Sequence, residues 1–433
     1  MAQQQGLRRS SLSWAVESSY GSLSATTGLP DPSGLSYTAA EVTAFDAYEG
    51  QEEPGIARNV ARTQPGSYPD EPLTVYSSGS PVQRRSGEMT IRFNGLRCPV
   101  SGAAVSTLFL ARLLRTVCHF SAQSAGDQDT VAAGSWSVNS AEVATVAEFG
   151  VGRYFAKTNN GRIEFARVTD ITGSALTWSP ALSAIPAGSD VLRHCETYSP
   201  RLGALDGTDN PSLALRFDLH GRRFYATGCR LRSLTIDVGA DGIARPTARV
   251  MLGWVQDDDG AASPATLGSQ GVYAQRGQSY DVYGSLAAVT SPADASRTVI
   301  AARQWSFTLD WTLALEGRAD NGMGHGDMIV ADVTAKLTMS ITPDGTLEAM
   351  RRAGTQAMVL CGLGPTSAGN AGRQMGFGLA LNGAKFDSYA KPAPGEAETT
   401  VELSLSDGIY ALDTGSWSNG AHIDAPWSLF WVS

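Results

Sequence analysis

Charge is scarce in this chain. Only 17% of its 433 residues are Asp, Glu, Lys or Arg, below the usual quarter. The net charge of −9 argues against a basic surface that wraps nucleic acid tightly. It is compatible with a protein past which DNA moves without being gripped. Cysteine is sparse and odd in number: Cys98, Cys118, Cys195, Cys229 and Cys361 are scattered, and no C-x-x-C occurs. That argues against a disulfide framework and for free buried thiols in a reducing compartment. No apolar run reaches membrane-spanning length; the longest candidate, Val105 to Val117, carries Arg112 and Arg115. Arg8-Arg9 is followed by no apolar region, so it does not read as a twin-arginine signal. The chain is expected to be cytoplasmic when made.

Catalytic and metal motifs are missing too. Neither G-x-S-x-G nor H-E-x-x-H occurs. His220-Gly221 reads as a solvated hairpin turn. Cys118-His119 and His194-Cys195 suggest zinc ligands by type, but neighbours on a strand point to opposite faces and do not share a metal easily. Gly322-Met323-Gly324-His325-Gly326 lacks the Lys-Ser/Thr and the helix of a phosphate loop. Asp257-Asp258-Asp259 lacks the alternating spacing of a calcium loop. No catalytic, cofactor-binding or metal-binding residue is therefore assigned. A hydrolase with dispersed carboxylates would leave no local motif and stays open as a third reading.

What is present is glycine (47 residues) and alternation. One strand-to-helix pattern occurs twice. Gly87 to Phe93 alternates and leads to a helix predicted over Ala104 to Phe120. Ala335 to Ile341 alternates and leads to a shorter one over Asp344 to Ala353, with Pro343 at its start and Gly354 at its end. In the first helix Leu110, Leu113, Leu114 and Val117 form an apolar stripe, with Arg112 and Arg115 expected outward. Strand pairs follow both: Leu213 to Tyr225, then Cys229 to Val238 with Ala244 to Val255, in the first half. In the second half Phe377 to Leu381 and Ala384 to Tyr389 read as a hairpin turning at Asn382-Gly383, and Val401 to Leu405 closes the set. Trp305 to Leu315 is a long alternating strand with Trp305, Phe307, Leu309, Trp311 and Leu313 on one face.

The expected fold is mainly β. An N-terminal arm covers 1–35. A first sandwich or barrel-like domain with a flanking helix covers 36–134 and 199–258. A small β-barrel is inserted at 135–198, where Asn159-Asn160-Gly161 marks a hairpin. A linker covers 259–271, and a second domain of the first kind covers 272–433. Residues 49–72 and 320–327 read as long loops, and Arg84-Arg85 as ordinary basic surface.

The order of these features resembles the tail tube (major tail) proteins of long-tailed bacteriophages. Ser13-Trp14-Ala15-Val16-Glu17-Ser18-Ser19-Tyr20-Gly21 is similar to a W-x-V-E-x-x-Y-G opening in that family. The strand Ser86 to Phe93 leads to Leu113-Leu114-Arg115. The insert carries Ala166-Arg167-Val168-Thr169 and Pro180-Ala181-Leu182-Ser183, and Leu231 to Val238 precedes Ala248 to Gly253. The resemblance implies a non-enzymatic virion subunit. Its inner strands close into a ring, and rings stack into a hollow tube through which DNA passes without specific binding. It implies partners in further copies of the chain and in other tail proteins, no membrane, and assembly in a host bacterial cytoplasm. Arms and loops at 1–35, 49–72 and 320–327 would reach the next ring. Two units in one chain depart from the single-unit pattern, so three chains would imitate sixfold symmetry. The alternative is an extracellular carbohydrate-binding or adhesion protein whose nine tryptophans form a sugar platform.

Overall fold

The computed structural model describes residues 11–23, 30–40, 42–45, 87–93, 95–99, 104–121, 128–147, 149–159, 162–205, 209–219, 222–258, 272–273, 286–289, 298–300, 302–317, 325–342, 345–353, 357–366, 375–389, 399–405 and 425–432. The chain opens with β1 (Ser11–Val16), β2 (Thr38–Ala39), β3 (Val42–Phe45), β4 (Gly87–Phe93), β5 (Arg97–Cys98) and α1 (Phe109–Arg115). After β6 (Cys118–Ser121) come β7 (Gln128–Thr130), β8 (Ser140–Glu142), β9 (Tyr154–Asn159), β10 (Arg162–Thr172), β11 (Ala175–Ser179) and β12 (Val191–His194). Then follow β13 (Glu196–Pro200), β14 (Gly203–Ala204), β15 (Leu213–Leu219), β16 (Arg222–Val238), β17 (Ala244–Leu252), β18 (Trp254–Asp258) and β19 (Val272–Tyr273). The last part holds β20 (Leu286–Val289), β21 (Thr298–Ile300), β22 (Ala302–Gly317), β23 (His325–Ile341), α2 (Gly345–Ala353), β24 (Ala357–Thr366), β25 (Met375–Tyr389), β26 (Thr399–Leu405) and β27 (Trp427–Val432). The protein is mainly β, with antiparallel sheets.

The strand pairings reveal a nine-element duplication. In the first unit β1 pairs with β2 and β15, β3 with β4, β4 with β17, β15 with β16, and β16 with both β17 and β18. In the second unit β20 pairs with β21 and β24, β22 with β23, β23 with β26, β24 with β25, and β25 with both β26 and β27. Substituting β20, β21, β22, β23, β24, β25, β26 and β27 for β1, β2, β3, β4, β15, β16, β17 and β18 reproduces every pairing in chain order. The helices obey the same rule: α1 packs on β16, and α2 packs on β25.

Each unit therefore lays four strands side by side: β3, β4, β17 and the end of β16, then β22, β23, β26 and the end of β25. The two sets are joined edge to edge. β16 pairs antiparallel with β22 from Ser233↔Asp310 to Val238↔Trp305. One apolar face of this joined sheet is buried: Met89, Ile91, Leu234, Ile236, Ala248, Val250, Trp305, Phe307, Leu309, Trp311, Leu337 and Met339 belong to a single core that also takes in α1. Burying each large aliphatic or aromatic side chain contributes roughly 1.5–3 kcal/mol, so the stripe dominates the stability of the joint. The tryptophan strand thus packs as its alternation implied, with Leu313 only partly buried.

Several expectations are corrected. The first helix does not run to Phe120. It ends at Arg115, and Cys118–Ser121 is a strand paired with β13. Asn210 explains the stop: its side-chain amide donates to the carbonyls of Arg115 and Cys118 at 2.7 Å each, meeting acceptors that a helix end leaves open. Asn382-Gly383 is no hairpin turn. Ala357 pairs with Ala384 and Met358 with Asn382, leaving Gly383 as the extra residue of a bulge inside one continuous β25. At that bulge β25 passes from its partners β24 and β27 to β26. Likewise Arg222 to Tyr225 and Cys229 to Val238 are one strand, β16, bent at Gly228 with φ 62°. Residues 11–16, read as part of an arm, form a strand between β2 and β15.

The insert is a six-stranded sheet in the order β7-β12-β9-β10-β11-β8. Its strands run from 128 to 194, while Glu196–Pro200 belongs to the large sheet. The edge strands meet at an antiparallel bridge, Val131↔Val143, around a core of its own that includes Phe155, Val168, Leu176, Trp178 and Leu192. Asn159 pairs with Arg162 across the expected Asn-Gly position. The outer side of the insert rests on the second unit. Tyr154 stacks on Phe430 at 4.0 Å between ring centroids, and Phe165 meets Phe430 edge-on at 5.0 Å. Close approach requires glycine on β25: a Cβ at Gly376 would lie 2.9 Å from Ile163, and one at Gly378 would overlap the Phe430 ring.

Candidate functional site

The second face of the joined sheet is polar. Register places Thr90, Arg249, Ser233, Asp310 and Thr334 in one row across β4, β17, β16, β22 and β23. The next row is Arg92, Thr247, Thr235, Thr308 and Lys336, continued at β26 by Ser404. A third holds Arg245, Asp237, Ser306 and Thr338, with Glu402 in register on β26. Strands with period-two alternation put the residues of these rows on β4, β17, β16, β22 and β23 opposite the core by geometry alone. The result is a broad wall of threonine, serine and charges of both signs, drawn from both units.

Several charges on this wall are paired. Glu88, although nearly buried, lies between Arg232 and Arg249, with Arg249 Nε 2.5 Å from its carboxylate. Ser306 donates to Asp237 at 2.5 Å, and Thr235 and Thr308 hydroxyls meet across the joint at 3.4 Å. At the β16–β17 turn, Arg245 pairs with Asp241 at 2.5 Å, and the guanidinium holds that carboxyl below its ordinary value. No stretch of one sign emerges among the described residues of this face, although the chain as a whole is acidic.

Beneath the sheet lies a second arrangement, built of buried polar groups. Arg230 of β16 is fully buried. It forks onto Asp327 of β23 through Nε (2.9 Å) and Nη2 (2.8 Å), and donates to the carbonyls of Thr116 and Asn210. This pair crosses from the first unit to the second. Next to it Glu17 accepts from the backbone N–H of Gly21 (3.3 Å) and Gly228 (2.9 Å) and from the hydroxyls of Ser22 (3.1 Å) and Ser212 (2.5 Å). Burial pushes the Glu17 carboxyl above its usual range, against those hydrogen bonds. Tyr20 lies under the Arg230 guanidinium, 5.5 Å from ring centroid to Cζ. Trp14 stacks on Phe109. Glu17 and Tyr20 of the opening W-x-V-E-x-x-Y-G segment thus fasten the turn after β1 to the bend of β16, while Trp14 packs on α1.

The basic helix face is also redirected. Arg115 is not outward. It reaches Glu196 at 2.6 Å and lies over Phe120, while Arg112 donates to the Ser106 carbonyl and lies 6.0 Å from the Trp14 ring. The Arg115 guanidinium is thus held within the chain. Sequence reasoning missed Glu196, Asn210, Arg230 and Asp327 as partners. Their separations in the chain carry no local signal; Glu17, Arg230 and Asp327 lay in segments already singled out, but not as partners of one another.

The tempting chemistry is dispersed. His194 pairs with Asp129 at 3.1 Å and lies against Phe149, while Cys195 belongs to the apolar contact between insert and second unit. All five cysteines are free and buried; desolvation pushes the Cys98 thiol up to about 12 and raises Cys118, Cys195, Cys229 and Cys361 as well. Among the described residues no three His, Cys, Asp or Glu side chains gather in a metal-holding group. No described helix is long and apolar enough to cross a membrane. His220, Arg84-Arg85, residues 49–72, the linker 259–271 and Gly322 to Gly324 lie outside the described residues, as does Asp259. The described tryptophans form no exposed platform: Trp14, Trp178, Trp254, Trp305, Trp311, Trp427 and Trp431 are buried, and half-buried Trp136 donates to the Ala132 carbonyl. Trp417 is outside the described residues. In comparisons with known proteins, no family model and no curated protein matches this chain.

Proposed function

We propose that this protein is the structural subunit of a phage or phage-like tail tube, forming stacked rings that enclose a conduit for DNA. The observation that carries the reading is the joined sheet itself. Two equivalent units lay their strands edge to edge, one face apolar and sealed, the other polar and continuous across both. A wall of short hydroxyls and intermixed charges of both signs wets easily and offers DNA phosphates no continuous cationic track to grip. Ring formation would also cover sheet edges that are otherwise open to uncontrolled pairing.

The burial of the tryptophans weakens the carbohydrate-binding alternative, which needs exposed aromatic faces. Negative-stain microscopy of the purified full chain tests the proposal. Rings or tubes with a central hole are expected. Persistent monomers at high concentration, together with glycan binding, would overturn it.

A further inference from the structure

The duplication exposes an unfinished joint. Inside the chain, the end of β16 has β17 on one side and β22 on the other. Its counterpart, the end of β25, has β26 on one side; on the other, β24 stops at Ala384. Beyond Ala384 that edge has no strand among the described residues. The counterpart of β22 is β3, which pairs with β4 alone among the described residues. The two open edges are thus the two halves of a contact that the chain already makes once within itself.

We propose that the end of β25, from Lys385 to Tyr389, pairs antiparallel with β3 of a second copy of this chain, repeating between chains the β16–β22 joint. The occupant follows from the fold. The strand that covers β16 is the first of the four-strand set in the next unit, and its counterpart β3, paired with β4 alone among the described residues, is the equivalent strand that a second copy supplies. Each chain carries one edge of each kind, so the contact is head-to-tail. Antiparallel neighbours lie about 4.5–5.5 Å apart between opposed Cα atoms, within the reach of a disulfide. Closure into a ring rests on the tube reading above; the strand pairing rests on the duplication.

The test uses the full chain with one cysteine at Thr43 or Ala44 and another at Asp387 or Ser388, in all four combinations. The native thiols are buried and leave a low background. Mild oxidation is expected to give covalent multiples of the chain in at least one double variant and none beyond the wild-type background in single variants. The same samples are imaged. Hollow rings with no cross-link in any combination would overturn the joint while sparing the tube. Cross-linked chains without hollow particles would support the joint and overturn the tube. Monomers without cross-links would overturn both.

Discussion

The two units share nine elements but differ in what joins them. Between its helix and the following strand the first unit holds residues 116–212, including the whole six-stranded insert; the second makes the same connection with 354–356. The first passes from β17 to β18 through Gly253 alone, the second from β26 to β27 through 406–426. The segments 46–86 and 318–324 occupy one equivalent place: they link β3 to β4 and β22 to β23. The first contains the long loop expected at 49–72; the loop expected at 320–327 is cut short, because His325, Gly326 and Asp327 already belong to β23, which pairs with β22. The difference teaches that the strand ladder is what was duplicated. The insert of the first unit also covers the second unit's β24, β25 and β27, so the copies are complementary in packing as well as equivalent in pairing.

Four substitutions sharpen or break that comparison. Arg230→Ala has the largest expected effect, about 3–5 kcal/mol, because it strands the Asp327 carboxylate beneath both units. Chemical denaturation measures it, and a loss under about 1 kcal/mol would mean that the pair does not couple them. Gly378→Ala forces a Cβ onto Phe430 and should cost about 1–3 kcal/mol. Faster hydrogen exchange in β9 and β10 should accompany it, and unchanged protection there would contradict the docking of the insert on the second unit.

Glu17→Gln tests the anchor of the first unit. Burial raises the folded-state carboxyl value above the ordinary 4.5. The folded chain thus holds this proton more tightly, and its contribution is complete below about the ordinary value and is lost as pH rises through the folded one. Wild-type Tm should therefore fall over this window by more than that of Glu17→Gln. Parallel pH profiles would count against the assignment. Thr308→Val on the polar wall has the smallest effect, within about 0.5 kcal/mol, since that face contributes little to the core. A loss above 2 kcal/mol would show that the wall is structural.

Alternation made much of the ladder legible in advance. Trp305 to Trp311 and Gly87 to Phe93 each declare a buried face at period two, and the doubled strand-to-helix pattern was visible without pairing information. Local signals failed where tertiary partners decided. Asn382-Gly383 has the chemistry of a turn, yet β24 and β27 hold the chain straight and turn it into a bulge. The helical spacing of Leu110 to Val117 continues past Arg115, yet Thr116 and Asn210 end the helix there. Arg112 and Arg115 were assigned to solvent by helix geometry, but β13 brings Glu196 beneath Arg115 from 81 residues away. The polar wall was half legible: the residues were visible, but their union across two units depends on the β16–β22 register, which no local pattern encodes.

The most direct test of the duplicated-ring account is the mass and the top view of one assembled ring. Three chains of 45.5 kDa, displaying six similar lobes around a central hole, is the result the account predicts. A ring of six chains, or one with a single lobe per chain at its inner wall, would contradict it.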